Sequence, residues 1–115
     1  MINKGYLAEQ FVGQELLAYL GKDESNTLFS WAREAKSSSA EIDFLVAVDA
    51  FMVPIGVKAG AIGSMHSLKI FLEEKNVPLG VKISEAPLSL HSHILSIPFY
   101  MIEQLPRLVR ESYNV

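Results

Sequence analysis

Apolar residues recur along this chain with two different periods, and the places where the period changes divide it into elements. From Lys4 to Leu20 the spacing is helical: Val12, Gly13, Leu16 and Leu20 share a stripe with Glu9, while Leu7, Phe11 and Ala18 form a second apolar side. Good helix formers fill this segment without proline, and Gly21 supplies a C-terminal stop. Residues 27–32 are short and aromatic, which suits a strand. Residues 41–48 alternate, with Ile42, Phe44, Val46 and Val48 on one face and Asp43, Leu45 and Ala47 on the other. Asp49-Ala50 then predicts a turn into a second alternating run, residues 51–58, with Val53, Ile55 and Val57 opposite Pro54, Gly56 and Lys58. After Gly60 and Gly63 the helical period returns through Lys75, with Ser64 as the expected cap and Met65, Leu68, Phe71 and Leu72 as the apolar stripe. Pro78 ends that helix. Residues 79–83 and 94–98 read as buried strands, and residues 99–112 as a last helix bent or restarted at Pro106. The predicted order is α-β-β-β-α-β-β-α.

Composition narrows the class. The chain has 115 residues, half of them apolar, enough for one domain spanning 1–115 with its own core. A net charge of −3 gives no global electrostatic footprint for nucleic acid, so any such binding must rest on a local patch. With no cysteine, disulfides, thiolate metal sites and thiol nucleophiles are excluded. No window approaches a membrane span and the N-terminus lacks a signal-peptide pattern, so a soluble, cytoplasmic protein is expected. Ser37-Ser38-Ser39 reads as a loop, and no linker or repeat divides the chain.

Three residues then attract attention. A hairpin over residues 41–58 sets Asp43 and Lys58 near each other at its open end, provided the register holds. Glu9 sits on a helix face expected to be buried, where a carboxylate needs a partner, a metal or a proton.

Taken together, the run Lys4-Gly5-Tyr6-Leu7-Ala8-Glu9-Gln10-Phe11-Val12, the Leu28-Phe29-Ser30-Trp31 strand, residues 40–45 and 53–60, Ser67-Leu68 and Ile97-Pro98-Phe99-Tyr100 resemble one domain. It is an uncharacterised domain at the C-terminus of predicted bacterial and archaeal AAA-type ATPases, similar to PD-(D/E)XK nucleases. The resemblance covers nearly the whole chain. It implies a restriction-endonuclease-like core of the α/β (α+β) class, with a mixed central sheet and helices on both faces. It maps Glu9 onto the helix acid, Asp43 onto the strand acid and Lys58 onto the lysine that steadies a scissile phosphate. In that family an acid usually precedes the x-Lys pair, and Gly56 stands in its place.

The resulting expectation is a degenerate, non-catalytic accessory or interaction domain associated with an AAA-type ATPase, with Asp43 and Lys58 as vestigial catalytic residues and Glu9 and Asp43 as a weak or lost metal site. No cofactor is expected, and Mg²⁺ enters only if the domain is active. The alternative is an active Mg-dependent nuclease with a relocated acid, Glu41 or Glu15. A phosphate-binding G-x-x-x-x-G-K-[ST] loop is absent from the sequence, so an ATPase half belongs to a longer parent or to no parent at all. The expected partner is that upstream ATPase domain or another protein, with a homodimer as a further option.

Other residues carry weaker readings. Arg33, Lys36, Lys58 and Lys69 would line a cleft and steer a phosphate backbone, but Glu34, Glu41, Glu73 and Glu74 offset them. Asp43 has a plain structural alternative, a sheet-end residue paired with Lys58 or Arg33. His91 and His93 have strand-like i, i+2 spacing without a visible third ligand. Trp31 fits core packing better than base stacking.

Overall fold

The computed structural model describes residues 4–20, 42–60 and 65–113, together with the backbone of 26–30. Chain order is α1 (Lys4–Leu20), β1 (Asn26–Ser30), β2 (Phe44–Val48), β3 (Phe51–Val57), α2 (His66–Lys75), β4 (Gly80–Ser84), β5 (Ser89–His91), β6 (Ile94–Pro98), a 3-10 helix (Phe99–Gln104) and α3 (Leu105–Tyr113). The strands form one sheet in the order β1-β2-β3-β4-β6-β5. Pairing is antiparallel from β1 to β3, parallel from β3 through β4 to β6, and antiparallel again at β5. The sheet is therefore mixed, as the sequence reading expects.

Alternation along the strands builds a core on each face. On one side Val46, Val53, Ile55, Val81, Ile83 and Ile97 pack with Val12, Leu16 and Leu20 of α1 and Leu105 and Val109 of α3. Burying each such side chain contributes about 1.5–3 kcal/mol. On the other side Leu68 and Leu72 of α2 join Met65, Ile42 and Ile94. Helices thus cover both faces.

The expected stripe of α2 matches this contact, since Met65, Leu68 and Leu72 are buried and Phe71 packs at the edge. The residue capping α2 is Met65, with no side-chain cap bond, and the expected cap Ser64 lies outside the described residues. Asn76 in the left-handed region (φ 54°) closes the helix, two residues before Pro78. The β2–β3 hairpin turns on Asp49-Ala50, with Val48 paired to Phe51 and Asp49 at φ 55°. Arg110 of α3 clasps that turn, its Nε 2.9 Å and Nη2 3.1 Å from the Asp49 carboxylate oxygens, and Tyr113 stacks on Phe51 at 3.8 Å between ring centroids.

Two elements depart from expectation. β5 is an additional strand, formed by a hairpin whose turn residues Ser92 and His93 have φ of 52° and 67°. Residues 99–104 wind as a 3-10 helix, and the α-helix begins only at Leu105, with Pro106 in its first turn where a missing N–H is harmless. The observed order is α-β-β-β-α-β-β-β-α, with the 3-10 turn before the last helix.

At Gly80 α2 lies close against the sheet: a Cβ there would stand 3.2 Å from Leu68 Cγ and Cδ1. Gly80→Ala is expected to lower stability by about 1 kcal/mol through overpacking, read as a lower urea midpoint. In a Leu68→Ala background the same change is expected to cost markedly less, and equal costs in both backgrounds would contradict the contact.

Candidate functional site

The parallel strands β3, β4 and β6 finish at one end of the sheet, the end at which antiparallel β2 begins. Asp43, Lys58, Glu85 and Phe99 each flank one of these strand ends. The carboxyl ends of parallel strands are where open α/β sheets place their ligands, because side chains and loops converge there without disturbing the core. An open groove of about 420 Å³ lies at this end, lined by Lys4, Leu7 and Phe11 of α1 with Ala59, Glu85 and Phe99. Phe11 meets Phe99 edge to face, with 6.2 Å between centroids and 68° between planes.

Asp43 has a defined structural task at this end. The ladder pairs Phe44 with Ile55, yet the N–H of Asp43 also donates to the Ile55 carbonyl at 2.8 Å. Two residues of β2 thus face one of β3, the arrangement of a β-bulge. The bulge rotates the chain, so that Phe44 packs with the α1-side core while Ile42 joins Met65 and Leu68 on the α2 side. The next β3 donor, the Val57 N–H, is taken by Asp43 Oδ2 at 2.8 Å. A carboxylate oxygen stands in for the backbone carbonyl that a continuing strand would have offered. The hairpin therefore does bring Asp43 beside the residue preceding Lys58.

Gly56, one position earlier, is buried within β3 and pairs in parallel register with Lys82 of β4. Register partners project from the same sheet face, so an acid restored at position 56 would stand beside Lys82. Lys82 is half-buried and was not singled out by sequence reasoning, because nothing in the order of residues tells which strand neighbours β3. Lys58 is half-buried, and its N–H continues the β3–β4 ladder to the Ile83 carbonyl at 2.9 Å. Glu9 is half-buried on α1, one turn before the fully buried Val12, so the buried stripe starts after it.

The remaining candidates scatter. Arg33, Lys36, Glu41 and Trp31 lie outside the described residues. Lys69 lies on α2, lining a different groove with Glu73, Val77 and His93. The histidine spacing is not that of one strand: His91 belongs to β5, whereas His93 sits in the turn with positive φ. Among the described residues no three or more His, Asp or Glu side chains gather as a metal-binding group.

One cleft lay beyond sequence reasoning altogether. Between α1 and the 3-10 helix, Phe11, Glu15, Tyr19, Phe99, Tyr100 and Glu103 line a space of about 120 Å³. The Tyr19 hydroxyl donates to Glu15, and that bond, then the Glu15 charge, partial desolvation and last the Glu103 charge hold the Tyr19 phenol above its usual pKa.

With this geometry in place, comparison with known proteins gives one match. Residues 4–100 fit the model of a domain of unknown function (DUF4143), and the chain belongs to that family. No curated protein and no solved structure matches it.

If Asp43 serves as the acceptor that ends the β2–β3 ladder, Asp43→Ala leaves the Val57 N–H without it and is expected to cost about 1–2 kcal/mol. Asp43→Asn keeps an acceptor oxygen and is expected to lose less than half of that. Urea unfolding of both variants at neutral pH measures the difference, and equal losses would point to charge rather than hydrogen bonding.

Proposed function

We propose that this DUF4143 domain is a non-catalytic accessory domain of the nuclease fold, which works by binding a protein partner. The observation that carries this reading is the pairing of roles at the sheet end: Asp43 Oδ2 accepts the Val57 N–H at 2.8 Å, and the position expected to hold the second acid is Gly56. Mg²⁺ in phosphodiester hydrolysis lowers the pKa of a bound water and neutralises charge on the transferring phosphate. Its usual protein ligands are one or two carboxylates held in near-octahedral geometry. Here one carboxylate oxygen is committed to the backbone, and the neighbour on β3 has no side-chain oxygen. The donor set does not fit the ion, so no hydrolytic step is derived through it.

The outer side of α1 supports the partner half of the reading. Tyr6, Leu7, Phe11 and Leu17 are 58%, 53%, 46% and 65% exposed along one helix. Exposed apolar side chains gathered on one element are the usual mark of a protein contact. The resemblance to the C-terminal domain of AAA-type ATPases makes such an ATPase the partner to test first. Among the described residues no helix is long and apolar enough to cross a membrane.

A second reading draws on Glu85, which joins Lys58 and Asp43 at the strand ends and lines the groove with Lys4. In that reading Glu85 is a relocated acid of an active nuclease. The two readings separate in an assay of the purified protein on linear and supercoiled DNA and on RNA, with Mg²⁺ and with Mn²⁺. No cleavage above a protein-free control is expected. Cleavage that is lost in both Lys58→Ala and Glu85→Gln would replace the accessory reading with the catalytic one.

A further inference from the structure

We propose that the cleft between α1 and the 3-10 helix receives a cationic side chain, an arginine, presented by the partner polypeptide. The inference rests on the partner-binding reading and adds the chemistry of what is recognised. Glu15 from α1 and Glu103 from the 3-10 helix stand at this cleft, and Phe11, Tyr19, Phe99 and Tyr100 supply its aromatic walls. Carboxylates beside aromatic faces form a site complementary to a planar cation, since a guanidinium stacks on rings while its N–H fork bonds carboxylate oxygens.

The surroundings favour an external cation. Among the described residues, the Arg107–Glu111 and Arg110–Asp49 ion pairs involve neither Glu15 nor Glu103. The Tyr19 phenol at the cleft is held above its usual value first by its hydrogen bond to Glu15 and then by the Glu15 charge, with Glu103 adding least. Tyr100 is 84% exposed, a large ring held in water at the rim, where covering it recovers apolar surface. At about 120 Å³ the space is below the size of small-molecule pockets, which suits one side-chain head group. The paired negative charges repel a phosphate backbone.

The probe is the tripeptide amide Gly-Arg-Gly, titrated into the ¹⁵N-labelled full chain, with Gly-Gln-Gly amide as the neutral control. Shift changes centred on Tyr19, Tyr100 and Glu103 are expected with the arginine peptide, with a dissociation constant of order 1 mM. In Glu15→Gln/Glu103→Gln binding is expected to weaken at least about fivefold, and added salt is expected to weaken it in the parent protein. Both positions tolerate the change, being outside the core, and circular dichroism verifies folding. Bound arginine should also move the Tyr19 ionisation down toward the ordinary tyrosine value, read by its ¹³Cζ shift against pH, which mere proximity elsewhere would not do. The proposal fails if the peptide produces no shifts at about 10 mM, tenfold above the expected constant. It fails equally if the glutamine peptide binds as well, if the double variant binds unchanged, or if Mg²⁺ alone produces the same shifts more tightly. Nuclease activity with an intact arginine response would overturn only the accessory reading, whereas a silent cleft in an inactive protein overturns only this one.

Discussion

Strand β3 is enclosed on both sides, and the chemistry at the sheet end follows from that enclosure. Helix α1 and the C-terminal elements cover one face, α2 the other, so every residue from Val53 to Gly56 is buried. An ionised carboxylate placed there loses its hydration, a penalty of several kcal/mol unless a counter-charge or metal answers it. Glycine at position 56 places neither charge nor side-chain volume in that packed interior. An acid there would need Lys82, its register partner on β4, as counter-charge.

Asp43 tells the complementary story. Its side chain does what the backbone of a longer β2 would have done, satisfying the Val57 N–H where the bulge takes the main chain away. An acid with a structural task of this kind has a reason to be present that is independent of any chemistry. Glu15 and Glu103 form the contrast: they carry no bond that stabilises the sheet, and the negative potential they create is directed at the solvent side of α1.

Local signals carried the fold a long way. The residues of α1 run from Lys4 to Leu20, β6 from Ile94 to Pro98, and the two-residue turn at Asp49-Ala50 all as periodicity and turn chemistry predict. β5 escaped because Ser89-Leu90-His91 has no β-branched residue and is too short to establish a period, and its pairing in the sheet is with β6. The 3-10 winding of residues 99–104 escaped because its composition suits an α-helix equally well. For the site, the closeness of Asp43 to the end of β3 was legible from hairpin register. Lys82, Glu85 and the Glu15–Glu103 cleft were not, since each depends on which distant strand or helix lies alongside. Resemblance supplied what periodicity could not, the idea that Gly56 replaces something.

The β3–β4 junction, where the antiparallel part of the sheet meets the parallel part, is a short seam. Three residue pairs join those strands in register, against five for β2 with β3 and five for β4 with β6. The two hairpins, β2–β3 and β5–β6, close over turns of two residues and form early by simple chain proximity. Joining the halves requires α2 to cross over and bring Ile55 against Val81, the contact with the larger entropic barrier. The seam between the two hairpins is thus the most non-local strand contact in the described sheet, and the Lys58 N–H lengthens it by one bond to the Ile83 carbonyl.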